Sequence, residues 1–219
     1  LQFGPTLKSL NQNFQVWEPP PRLTVSEWAE KYRILSSESS ARAGMYRLSR
    51  APYQKEPMNA VKDSSVQSVT LMWASQTGKT ECINNIVAYF ICQDPSPILC
   101  IQPTLDMADT WSKDRLAPMI RDTAALSKVI STGKARDSGN TLLHKRFLGG
   151  HITMAGANSP SSLAARPIRV LLCDEIDRYP ASAGAEGDPI SLAERRTDTF
   201  PNAVIIKTST PTIKDLSKV

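Results

Sequence analysis

The sequence predicts an α/β fold, a mainly parallel sheet flanked by helices, preceded by an N-terminal arm. Three observations carry the prediction. Short apolar, β-branched runs recur at residues 66–73, 98–101, 170–173 and 204–206. The last three are apolar without alternation, as strands buried on both faces must be. Segments of helical character separate them, and strands joined through helices pair in parallel with right-handed crossovers.

Each element has its own signal. Residues 1–22 are rich in Pro, Gln and Asn, with Pro19, Pro20 and Pro21 in a row, and read as an extended arm. Thr24 and Glu27 form a capping box that opens a short amphipathic helix, expected to run to about Leu35. A Ser-rich basic connector follows over 36–50, and Ala51-Pro52-Tyr53-Gln54 leads into a second helix from about Pro57. This divides the chain into an arm with its helix (1–50) and a main domain (51–219). Within that domain, a strand at 66–73 precedes a helix at 79–92, and a proline-bounded strand at 98–101 precedes a helix from 105 to about 120. Trp111 and Leu116 share the inner face of the latter. Residues 141–147 and 151–155 flank Gly149-Gly150 as a β-hairpin. A helix from 190 to about 198 joins the last two strands.

Composition bounds the class. The chain has 219 residues, 41% hydrophobic and 21% charged, which excludes wholesale disorder. No run approaches the ~20 apolar residues that span a bilayer, and the N-terminus lacks the pattern of a secretory signal. The chain begins without Met and stops at Lys218-Val219, as a piece of a longer protein would. The net charge is +5, and residues 113–146, with eight basic and three acidic residues, carry a surplus of the same size. Such a stretch suits contact with a polyanion or a solvated basic face. Cys82, Cys92, Cys100 and Cys173 lie in apolar segments without C-x-x-C spacing, so buried reduced thiols are expected. His144 and His151 flank the Gly-Gly turn with no acidic or Cys partner nearby, which argues against a metal site.

The strongest chemical signal is Ala74-Ser75-Gln76-Thr77-Gly78-Lys79-Thr80, set between a strand and a helix. A phosphate loop needs inward-curled backbone N–H groups, a helix N-terminus, a Lys to neutralise charge and a hydroxyl for Mg²⁺. Gly78, Lys79 and Thr80 fit those needs, while Trp73 stands where the common motif has Gly. A second apolar strand ends in Asp174-Glu175. Asp174 suits the Mg²⁺ shell, and Glu175 suits orienting and deprotonating an attacking water. A third signal, Lys207-Thr208-Ser209-Thr210-Pro211-Thr212, closes the last strand at the ligand edge of an open α/β sheet. Its hydroxyls can bond the γ-phosphate or the water.

With Thr24-Val-Ser-Glu-Trp-Ala-Glu, Ala157-Asn-Ser-Pro-Ser-Ser-Leu, Arg166-Pro-Ile-Arg, the segment 172–180 and Ala193-Glu-Arg-Arg-Thr-Asp-Thr-Phe, these motifs resemble the large terminase subunit of tailed bacteriophages, of the lambda A-protein type. The resemblance covers residue 22 to the end. It implies a P-loop NTPase of the additional-strand, catalytic-Glu type, using ATP and Mg²⁺ to drive double-stranded DNA into a procapsid in the host cytoplasm. It also implies a small terminase subunit and a portal as partners, and assembly as a homo-oligomeric ring, although an isolated ATPase domain of this kind can be a monomer. A nuclease domain is expected beyond residue 219. By similarity, 75–80 bind nucleotide, Tyr53 and Gln54 sit where the family contacts adenine, and Ser209 and Thr210 belong to the coupling motif. Some terminases carry an arginine within the phosphate loop; the matching position here is Ser75. An arginine finger is therefore expected from a neighbouring subunit, with Arg196 first, then Arg166 and Arg195. Two other classes stay open, a superfamily-2-like helicase and a non-hydrolysing scaffold for DNA or the portal.

Overall fold

The computed structural model describes residues 22–130, 140–163, 166–213 and 217–219. The extended arm expected at the N-terminus lies outside them. The capping box forms as the sequence indicates. Thr24 Oγ1 accepts from the Glu27 N–H at 3.3 Å, and Glu27 Oε2 accepts from the Thr24 N–H at 2.8 Å. Helix α1 (Val25–Tyr32) buries Val25, Trp28 and Ala29. It stops short of Leu35, because Arg33 turns extended and Ile34–Leu35 (β1) pairs antiparallel with Gly44–Met45 (β2). A 3₁₀ turn at Pro52–Gln54 then runs directly into α2 (Lys55–Ala60), which begins two residues earlier than its proline suggested.

The sheet comprises β3 (Ser68–Met72), β4 (Pro97–Gln102), β5 (His144–Phe147), β6 (Gly150–Gly156), β7 (Val170–Cys173) and β8 (Val204–Ser209). Its order is β3-β8-β7-β4-β6-β5. Every neighbouring pair is parallel except β5–β6, the expected hairpin, whose Phe147↔Gly150 register leaves Leu148-Gly149 as the turn. Gly149 takes a φ of 84°, which suits a residue without Cβ. Alternation along β7 fills two cores. Val170 and Leu172 pack with α1 and α3 (Lys79–Cys92), whereas Leu171 and Cys173 pack on the other face with Tyr179, Leu163 and Ala193. Trp28, Leu35 and Tyr46 join the first core, so α1 and the β1–β2 ribbon rest on the same packed layer as α3.

The helical run after β4 is broken where the sequence reads as continuous. Helix α4 (Leu105–Trp111) passes through a π turn at Ser112–Leu116 into α5 (Ala117–Asp122), followed by α6 (Ala124–Val129). Pro118 accounts for the break. It has no N–H for the Asp114 carbonyl and its ring would clash there, and a wider turn relieves the clash. Trp111 and Leu116 are buried as expected. Between β6 and β7 lies a short helix, α7 (Pro160–Leu163), which the sequence did not signal. Before β8, α8 (Pro189–Glu194) is capped by Asp188 and ends earlier than residue 198, where Thr197 Oγ1 donates to the Glu194 carbonyl. Cys82, Cys100 and Cys173 are buried and all four thiols are free. Burial pushes Cys82, Cys92 and Cys173 up to about 12. Among the described residues, no helix is long and apolar enough to cross a membrane.

One ion pair joins the N-terminal segment to α3. Arg33, 2% exposed, donates from NH2 to Glu81 Oε2 at 3.2 Å, while Glu81 keeps 21% of its side chain in solvent. Burial lowers the Arg33 pKa, and Glu81 and Asp122 offset part of that. Arg33 Nε has no hydrogen-bond partner. Removing one partner of such a pair strands the other, and the damage depends on which charge is left buried. Glu81→Ala should therefore cost about 3 kcal/mol and lower the melting temperature by roughly 6–12 °C. Arg33→Met, which leaves a carboxylate able to reach water, should cost no more than about 1 kcal/mol. Thermal unfolding followed by circular dichroism checks the order; equal losses would contradict it.

Candidate active site

Strand β3 delivers the chain at its C-terminal end into a loop, and α3 begins at Lys79. Within that loop Gln76 (φ 62°) and Gly78 (φ 84°) are left-handed. Alternating handedness turns successive N–H groups toward one side and makes an anion-binding concavity beside a helix N-terminus. Gly78 has a second reason to be glycine, since a Cβ there would stand 2.5 Å from Gln54 Nε2. Thr77 Oγ1 donates to the Ala74 carbonyl at 2.7 Å and ties the loop across its base.

Lys79 is 7% exposed and its ammonium uses all three donors. It bonds the carbonyls of Trp73 (3.0 Å) and Ala74 (3.1 Å) and the Thr210 hydroxyl (2.6 Å). The last bond is possible because β3 and β8 are hydrogen-bonded neighbours, with Met72 opposite Ser209. The sequence-predicted phosphate loop and coupling motif thus meet at one ammonium.

Asp174 and Glu175 follow β7, two strands from β3. Asp174 is buried at 7% exposure, and both its oxygens are oriented, Oδ1 by the Thr208 hydroxyl (2.5 Å) and Oδ2 by Gln102 Nε2 (3.1 Å). Glu175 takes φ 54° and ψ 48°, a left-handed conformation that costs a residue with a Cβ on the order of 1–2 kcal/mol. That backbone starts the 3₁₀ turn Ile176–Arg178 and leaves Asp174 behind the cleft while Glu175 lines it. Glu175 Oε2 lies 3.8 Å from Arg178 Nε.

The cleft encloses about 410 Å³ and is lined by Ser75, Gln76, Gly78, Lys79, Thr80, Glu81, Glu175 and Thr210, with Ser39, Ser40 and Ala41 as a roof. Beside it a second cavity of about 330 Å³ shares Ser40, Ala41, Gln76, Gly78 and Glu81 and adds Tyr53, Gln54, Arg47 and Arg50. Tyr53 and Gln54 brace the loop from this side. Tyr53 donates to the Thr77 carbonyl at 2.8 Å and meets Trp73 edge-on, with ring centroids 5.3 Å apart. Gln54 donates to the Gly78 carbonyl at 3.1 Å and accepts from the Tyr46 hydroxyl at 2.8 Å. Trp73, at the position where the common motif has glycine, is therefore a packing partner for the loop.

Other sequence candidates lie apart. Arg196 follows α8, and its carbonyl accepts from the Ile168 N–H ahead of β7, at the end of the sheet opposite the phosphate loop. Arg166 lines a separate cavity with His144 and Thr153. Neither reaches this chain's own cleft. Three residues that sequence reasoning passed over do matter. Arg115 and Arg178 line the cleft. Asp177 accepts from Thr212 N–H (3.0 Å) and Oγ1 (3.1 Å), Ser217 Oγ (2.7 Å) and Lys218 N–H (2.7 Å), anchoring the segment after β8. Burial works against ionising Asp177, but the bonds from Ser217, Lys218 and Thr212 outweigh it and hold its pKa below the usual carboxylate value. Its sequence signals were a third acidic residue after Asp174-Glu175 and a place within the segment 172–180 that carries the family resemblance.

Comparison with known proteins agrees with this geometry. The family model of the phage terminase large subunit gpA ATPase domain matches residues 40–219. The terminase large subunit of Enterobacteria phage P21 is 29% identical over 196 residues, which is 89% of this chain and 30% of that protein. The chain therefore spans about 30% of the length of that curated relative. The crystal structure of the HK97 bacteriophage large terminase superposes with a TM-score of 0.69 at 15% identity, over 88% of this chain and 38% of that one. At that identity the likeness shows the fold, a terminase-type α/β domain. On the family match, the chain belongs to the phage terminase large subunit gpA ATPase domains.

Proposed function

We propose that this domain hydrolyses ATP to ADP and phosphate and uses the reaction to move double-stranded viral DNA into a procapsid. The observation that carries the reading is the convergence of Lys79, Glu175 and Thr210 on one cleft at the C-terminal ends of neighbouring parallel strands. Family membership favours it over a helicase. The triphosphate would lie along the loop 75–80, with the base toward the Tyr53 and Gln54 side. Lys79, already hydrogen-bonded to three oxygens, can exchange them for phosphate oxygens without changing its preference for acceptors.

The donor set suits Mg²⁺. The Thr80 hydroxyl lines the cleft as a hard oxygen ligand, and the Asp174 carboxylate, set behind the cleft, would reach the ion through one of the waters that Mg²⁺ keeps in its shell. Bound there, the ion would neutralise charge on the β- and γ-phosphates. Thr208 and Gln102 fix the Asp174 carboxylate so that it need not reorganise. Glu175, which lines the cleft from a left-handed backbone, would orient the attacking water and accept its proton. Ser209 and Thr210, one bonded to the Asp177 N–H (3.2 Å) and the other to Lys79, would pass the state of the phosphate to the segment after β8.

The partners follow as part of the same proposal: viral DNA, a small terminase subunit and a portal, in the host cytoplasm. A homo-oligomeric ring would let Arg196 or Arg166 serve a neighbouring subunit's cleft, since neither serves its own. DNA binding is assigned to residues 113–146, of which 131–139, including Lys134 and Arg136, lie outside the described residues. Of the remainder, Arg146 is exposed on β5, the edge strand, while Lys145 bends back to the Thr141 carbonyl at 2.5 Å.

Two outcomes are expected. Steady-state phosphate release, with DNA and portal present, should fall at least about 100-fold in Lys79→Ala and in Glu175→Gln, while Glu175→Gln still binds ATP. Unchanged turnover in both variants would favour the non-hydrolysing scaffold. Neutralising Lys134, Arg136, Lys145 and Arg146 together should reduce the slope of log affinity for DNA against log salt by up to about 3.6, at roughly 0.9 for each DNA phosphate that a side chain no longer neutralises. An unchanged slope would remove this stretch from the DNA-facing surface.

A further inference from the structure

We propose that Arg115 supplies, from within the same chain, the second cation that binds the γ-phosphate. The inference rests on the ATPase reading and names a residue that reading did not include. Within 73–80 the phosphate loop offers one cation, Lys79. Arg115 and Arg178 also line the cleft, and they differ in a decisive way. Arg178 is 63% exposed and faces the Glu175 carboxylate, which a phosphate-binding guanidinium would have to leave. Arg115 is half-buried, and among the described residues none of the ion pairs includes it. Among the described residues, its one side-chain hydrogen bond runs from NH1 to the Ser39 carbonyl at 2.5 Å, in the roof of the cleft. Among the described residues, its other four N–H donors have no partner, and a guanidinium fork matches phosphate oxygens.

Position selects the γ-phosphate. Of the two adjoining cavities, the one with Tyr53 and Gln54 lacks Arg115, and the one with Glu175 and Thr210 contains it. Arg115 therefore stands at the hydrolytic end. The π turn Ser112–Leu116 places it there. The Ala117 N–H bonds the Ser112 carbonyl five residues back, which widens the turn and re-aims the side chains on it. Pro118 makes the widening necessary, so the proline that distorts the helix also sets the arginine's direction.

The test compares binding of magnesium-ATPγS and magnesium-ADP by calorimetry, using the full chain, Arg115→Ala, Arg115→Gln and Arg115→Lys. Arg115→Gln can still donate to the Ser39 carbonyl and so preserves the link to the roof. Arg115→Ala and Arg115→Gln should weaken ATPγS binding about 10- to 100-fold, with ADP binding changed less than about threefold. Arg115→Lys should fall between, because it restores charge without the fork. Equal weakening of both nucleotides, or wild-type ATPγS binding by Arg115→Gln, would overturn the assignment while leaving the ATPase reading intact. If the unmodified chain bound neither nucleotide, both would fall.

Discussion

The Lys79 ammonium holds the phosphate loop to the end of the neighbouring strand, and most of the site's geometry depends on that link. Its three acceptors belong to two segments, Trp73 and Ala74 after β3 and Thr210 after β8. Those segments are far apart in sequence and become adjacent only because the last strand inserts between β3 and β7. The strand order is thus a chemical requirement as well as a packing solution. Parallel strands must all deliver their C-terminal ends to one edge. Loop, carboxylates and hydroxyls meet there because each follows the C-terminal end of a parallel strand of the one sheet.

Around that edge, rigidity and strain are divided. Asp174 is locked by two donors and buried, whereas Glu175, one residue later, is held in a left-handed conformation and lines the cleft. The strain sits where the proposed chemistry needs a side chain re-aimed out of the strand. The roof is built differently. Ser39 is fastened by Arg115 and Glu38 by Arg121, both from the broken helical run, while Arg33 fastens the preceding strand to Glu81. Arginines from outside the loop therefore connect the N-terminal segment to the nucleotide edge.

Much of this was legible in the sequence. The strands, helix α3 and the capping box follow from apolar runs and Ser/Thr/Glu spacing, because each is decided by residues close in sequence. That Lys79, Thr80, Glu175 and Thr210 would come together at one edge was legible because the loop, the Asp174-Glu175 pair and the 207–212 segment each follow or close a strand-like run in the sequence. The misses share a physical cause. The β1–β2 ribbon and the early end of α1 depend on Ile34 finding Met45 across a connector. The π turn depends on how Pro118 is accommodated within a helix that its neighbours otherwise favour. Arg115, Arg178 and Asp177 acquire their roles only from tertiary placement, and periodicity carries no information about that.

In the proposed complex one cleft, centred on Lys79, would hold the triphosphate with Glu175 facing its far end. A structure determined with magnesium and a non-hydrolysable ATP analogue tests it most directly. Lys79 should exchange the Trp73 and Ala74 carbonyls for phosphate oxygens, and the γ-phosphate should lie between Lys79 and Glu175. A nucleotide bound with its phosphates away from the loop, or with Lys79 still on both carbonyls, would contradict it.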